Sequence, residues 1–168
     1  MLKFKLIAGA AIASALSACA PAPQSAAEVD TAQIDSTLTA VQNAHPNNCP
    51  ADRVQENARA EGFGEHSGVT IEDVAGVPMN GGNVLTLQRV TVAPGGVIGW
   101  HAHDGGQGMA LLVSGEVTEA RSTCLDTIAF TPGDITLEDA ALTHAFRNDA
   151  ATPAVFLVWG GAPAPAAN

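Results

Sequence analysis

From Val69 onward the sequence never sustains a helical period. It breaks into short apolar or alternating runs: "VTIEDV", "NVLTLQRVTV", "GVIGWHAH", "MALLVSGEVTEA", "DTIAFT", "DITLEDA", "LTHAFRN" and "AVFLVWG". Gly, Pro and Asp separate them at close intervals. This spacing predicts roughly eight strands within about ninety residues, an all-β sandwich or barrel. Met109, Leu111 and Val113 alternate with Ala110 and Leu112, so both faces of that strand are apolar, as a two-layer arrangement requires.

The chain ahead of these runs reads differently. Val29, Ile34, Leu38 and Val41 have near-helical spacing and predict a weak helix within residues 28–44. "HPNNCP" (His45–Pro50) is a turn-rich break, and Ala51–Ala60 predicts a short helix stopped by Gly62 and Gly64. The expectation is a β barrel with a short helical or irregular N-terminal extension.

The first residues form a positive "MLKFK" followed by an apolar run, Leu6–Leu16, too short to span a bilayer. "LSAC" (Leu16–Cys19) resembles the lipobox of bacterial lipoproteins, in which cleavage leaves a lipid-modified cysteine. The alternative is an ordinary secretory peptide, with Cys19 discarded or free. The lipobox reading divides the chain into a signal peptide (1–18), a lipidated Cys19 with tether and weak helix (19–48), the main domain with its lead-in (49–162) and a disordered tail (163–168). Ala20 follows the cysteine where Asp would retain such a protein at the inner membrane. The expected location is therefore the periplasm, lipid-anchored at the outer membrane, with membrane contact through lipid only.

Formal net charge is −10, and both lysines lie in the first five residues. A surface this acidic is unsuited to nucleic acid, and lysine-based covalent chemistry is excluded from the main domain. Cys49 and Cys124 remain, an even pair that reads as one bridge in an exported chain, against two unpaired thiols. Such a bridge contributes roughly 3–4 kcal/mol in the chain-entropy model.

Two of the five histidines, His101 and His103, are one residue apart on a predicted strand. Positions i and i+2 face the same way. His144 lies in another predicted strand. Three imidazoles from two strands suit a divalent transition metal. His45 and His66 sit in turn-rich segments and read as solvated surface.

Around these histidines the sequence resembles the cupin family. The first cupin motif, G-x5-H-x-H-x3–4-E-x6-G, aligns with Gly95, His101, His103 and Gly115; the second, G-x5-P-x-G-x2-H-x3-N, aligns with Gly133, His144 and Asn148. The resemblance covers roughly residues 83–160. It implies a jelly-roll barrel holding Mn, Fe, Ni, Cu or Zn, and it allows a homodimer. "CPADRV", "GWHAH", "VSGEVTEARSTC" and "THAFRN" further resemble small exported bacterial cupins. There, paired cysteines recur, which implies a Cys49–Cys124 bridge.

The sequence departs from the family pattern in two places. The metal-binding Glu position falls at Gly108, leaving Gln107 as a fourth ligand only if the register shifts by one. Asp139 and Ala141 replace the Pro and Gly of the second motif. No catalytic base stands out. Glu116, Glu138 and Asp139 read as solvated turn carboxylates, Asp104 as a turn residue with a secondary prospect of orienting a histidine, and Arg89 and Arg147 as exterior. The expected function is an exported cupin with a three-histidine metal site, acting on a small oxygenated substrate. The alternatives are a non-catalytic envelope lipoprotein that binds a small ligand or metal, and a scaffold with a vestigial site.

Overall fold

The computed structural model describes residues 31–103 and 106–163. The expected signal peptide, Cys19 and expected tether, together with Asp104 and the last five residues, lie outside them. One helix, α1 (Thr31–Gln42), precedes nine strands: β1 (His45–Pro46), β2 (Ser67–Pro78), β3 (Asn83–Ala102), β4 (Gln107–Ser114), β5 (Val117–Arg121), β6 (Ile128–Phe130), β7 (Asp134–Glu138), β8 (Thr143–Arg147) and β9 (Ala154–Pro163). The sheet runs β1-β7-β4-β9-β3-β8-β5-β6, with β2 added alongside β3. The fold is a mostly β, curled half-barrel of the jelly-roll type, as expected.

The long strand β3 makes the curl. Its first part pairs with β2 and β9, and its last part pairs with β8. Between them lies "APGG", which the structure shows as a corner within one strand rather than a turn before one. Gly95 takes φ +73°, a left-handed value that glycine adopts without strain. Asn148, fully buried, locks the corner: its Nδ2 donates to the carbonyls of Val92 and Thr152, each at 2.9 Å. Its backbone N–H donates to Gly96 O at 3.0 Å and its carbonyl accepts from Gly95 N–H at 2.8 Å.

The concave face buries Val92, Leu112, Phe130, Phe146 and Phe156 in one core. Two segments cover the convex face. Helix α1 lays Ala40 over Leu111 and Val113, which explains why both faces of β4 are apolar. Phe63 covers Ala120 and Ala145.

The N-terminal lead-in departs from expectation. His45–Pro46 forms β1, parallel to β7, rather than a break. Residues 51–60 form only a 3-10 turn, Ala51–Arg53. A helix there is overruled by tertiary bonds: Val54 bridges Cys124, Gln55 N–H donates to Thr123 O and Ala58 N–H donates to Ser122 O. Asn57 takes φ 58°, which a right-handed helix cannot hold. The Cys49–Cys124 disulfide closes the same seam. At the other end, β9 continues to Pro163, one residue past the expected boundary, pairing with Asn83.

Candidate metal centre

His101 and His144 are direct partners across β3 and β8, so their side chains leave the sheet on one face. His103, two residues on, shares that face. The three rings converge: His144 Nε2 lies 3.1 Å from His101 Nε2 and 2.9 Å from His103 Nε2.

The hydrogen bonds behind the rings fix which nitrogen carries the proton. His101 Nδ1–H donates to Gly99 O at 3.0 Å. His144 Nδ1 lies 2.6 Å from Glu119 Oε1. Glu119 also receives Thr136 Oγ1–H at 3.0 Å on that oxygen and Arg121 Nε–H at 2.6 Å on the other. With both oxygens accepting, the imidazole is the donor. A neutral imidazole that donates through Nδ1 presents an unprotonated Nε2. Two such lone pairs, 3.1 Å apart, cannot hydrogen-bond to each other. A cation resolves the conflict. Two nitrogens about 2.0–2.1 Å from one ion lie roughly 2.8–3.4 Å apart at angles from about 90° to tetrahedral, a range that holds both the 2.9 Å and the 3.1 Å separation.

A proton meets resistance there. Burial, then the neighbouring His144, push the His101 imidazole down to about 4. His103 Nδ1 faces Glu138 Oε2 at 3.8 Å, longer than a hydrogen bond. Burial pushes the Glu138 carboxyl up.

Glu119 is the residue that sequence reasoning missed. It follows buried Val117 by two and precedes buried Arg121 by two, so "VTEAR" turns a charged pair inward. Inward parity was the available signal. Arg121 is held in turn by Asn47 O at 2.7 Å, in the segment that the disulfide ties down.

Glu138 requires a correction. It lies on β7, nearly buried and facing the cavity, not on a solvated turn. Glu116 is exposed, and Asp139 is an exposed turn residue accepting from the backbone N–H of Ala141 and Leu142. Gln107 opens β4 and lines the same cavity as His101 and His103. His66 is exposed, yet it borders the cavity and its Nδ1 accepts from Gly99 N–H at 3.1 Å. Arg89 and Arg147 are exterior, paired with Glu72 and Asp149.

The glycine at the family's Glu position has a steric cause. A Cβ on Gly108 would collide with the Trp159 carbonyl oxygen of β9. Its cross-strand partner on β7 is Glu138. The carboxylate on this side of the site thus comes from β7 instead of β4.

Residues 88–160 match the family model for the cupin domain. No curated protein matches the chain significantly. Among solved structures, the TT1209 protein from Thermus thermophilus is similar at 26% identity, with 54% of this chain and 84% of that chain covered and a TM-score of 0.42. An oxalate oxidase is similar at 19% identity, with 62% and 56% covered and a TM-score of 0.49. A predicted oxalate decarboxylase from Thermotoga maritima is similar at 19% identity, with 58% and 96% covered and a TM-score of 0.42. This chain spans just over half of the oxalate oxidase.

Proposed function

We propose that this protein is an exported, lipid-anchored cupin whose His101, His103 and His144 bind one divalent transition metal. The observation that carries the reading is the convergence of three imidazoles, with His144 Nε2 at 3.1 Å from His101 Nε2 and 2.9 Å from His103 Nε2. Imidazole donors suit Fe, Ni, Cu or Zn, and the resemblance to cupins adds Mn. When bound, the ion supplies Lewis acidity and positions for water or a small oxygenated substrate. The chain's own residues do the rest. Gly99 O and Glu119 orient two rings, and Glu138 sits behind the third. The adjoining cavity of about 560 Å³ admits the ligand.

A non-catalytic binding role at the cell envelope is the second reading. It is favoured by Glu138 standing on the Nδ1 side of His103, away from the converging nitrogens, so that no carboxylate of the described residues joins them. Metal analysis tests the first claim: purify the protein without chelator or histidine tag, and measure bound metals by mass spectrometry beside a His101→Ala/His144→Ala variant. Near-stoichiometric metal lost in the variant is expected. No uptake of any of the five metals by either protein would overturn it. Turnover of oxygenated substrates, lost in His103→Ala with the fold retained, separates enzyme from binding module.

A further inference from the structure

The cavity beside the histidines has unusual walls for a site in so acidic a protein. It lies on the concave side of β2, β3, β4 and β9. Its walls are Val69, Ile71, Val90, Ile98, Phe156 and Val158. Polar wall residues are already committed. Gln88 Nε2 donates to Asp73 Oδ1 at 2.8 Å, and Thr86 Oγ1 donates to Gly160 O at 3.2 Å. No arginine or lysine lines it among the described residues. Arg89, between two wall residues on β3, points the other way and pairs with Glu72 at 2.8 Å. The imidazoles of His101 and His103, with Gln107 and the Glu138 carboxyl, border one end of the cavity.

From this division we infer the ligand class: an uncharged or singly charged amphiphile, with an apolar body against the β2–β3–β9 wall and one oxygen-bearing head at the histidine end. A pocket that discriminates does so with its few polar groups and takes most of its contact area from apolar walls. Here the imidazoles and the one carboxylate sit at one pole, while Gln88 and Thr86 on the wall are bonded to Asp73 and Gly160. A phosphate ester or a small dicarboxylate would meet no side-chain cation, and one pole would place it beside Glu138. The inference rests on the metal reading for the head and on the cavity alone for the body.

The test uses the purified protein and two kinds of probe. With zinc bound, octanohydroxamate and acetohydroxamate share a chelating head and differ in chain. The longer is expected to bind about tenfold tighter or more, since each buried methylene adds to affinity. Oxalate and inorganic phosphate are expected not to displace it. Ile71→Asp, at an exposed position on the wall, should abolish the chain-length preference and leave acetohydroxamate unchanged. Val77→Asp, on the same strand but off the cavity, should alter neither. Equal affinities for the two hydroxamates, or displacement by oxalate or phosphate, would overturn the proposal. If zinc does not bind, neutral N-phenyl-1-naphthylamine added to metal-free protein decides the body, and the metal reading itself fails only if Mn, Fe, Ni and Cu do not bind either. Fluorescent binding weakened by Ile71→Asp but not by Val77→Asp supports it; no binding, or equal effects, overturns it.

Discussion

The two sides of the histidine cluster are built by opposite means. Behind His144 the side chains of Glu119, Arg121 and Thr136 are buried and bonded, and with the carbonyl of half-buried Asn47 they form one chain of donors and acceptors, closed by the Cys49–Cys124 bridge. In front, His101 and His103 are half-buried, border a cavity and face β2, whose residues are nearly all exposed. One side sets geometry, and the other side leaves access. A charged pair tolerated at full burial must be fully hydrogen-bonded, and here it is. Its rigidity reaches the His144 ring through one side-chain bond, from Glu119, and the His144 backbone through pairing with Arg121.

The sharpest way to break this contrast is Glu119→Ala. It strands the Arg121 cation in the interior, and unfolding free energy in urea should fall by about 3–5 kcal/mol. Glu119→Gln keeps volume and an acceptor for His144 while weakening the charge interaction. Metal affinity measured by competitive chelator titration should then drop about 10- to 100-fold with a smaller loss of stability. Removing the bridge in Cys49→Ser/Cys124→Ser should cost about 2–4 kcal/mol in the same denaturation measurement. Because Asn47 sits beside Cys49 and holds Arg121, metal affinity should fall as well.

The open side should respond in reverse. His103→Ala should weaken metal binding by calorimetry, with enough retained to load the protein at excess metal, yet leave metal-free unfolding free energy within about 1 kcal/mol of the parent. The pH dependence of the metal-free protein gives a finer reading. His101 is held near pKa 4 in the folded chain against an ordinary 6.5. Between those values the unfolded chain binds more protons, so stability rises with pH through this window and is lost as pH falls from about 6.5 toward 4. In chelator, His101→Gln should flatten that part of the profile. The smallest effect belongs to Arg89→Ala, which breaks an exposed pair and should leave the melting temperature unchanged.

What could be read from the sequence follows from what is local. Strand runs show themselves by alternation, and His101 and His103 by the strand period. His144 is placed by motif spacing. Glu119 and Glu138 are not local facts. Each is inward only because its strand lies where it does in the curl, and nothing in "VTEAR" or "DITLEDA" names the histidine it will face. The steric bar at Gly108 depends on the approach of β9, about fifty residues away in the chain. The lost helix at residues 51–60 has the same origin, since its backbone donors are claimed by Ser122 and Thr123.

X-ray absorption at the metal edge of the loaded protein tests the central claim most directly. The account predicts three imidazole nitrogens at about 2.0–2.2 Å, with lighter oxygen donors completing the shell, and one imidazole fewer in His103→Ala. A spectrum with no imidazole scattering, or one unchanged in that variant, would contradict it.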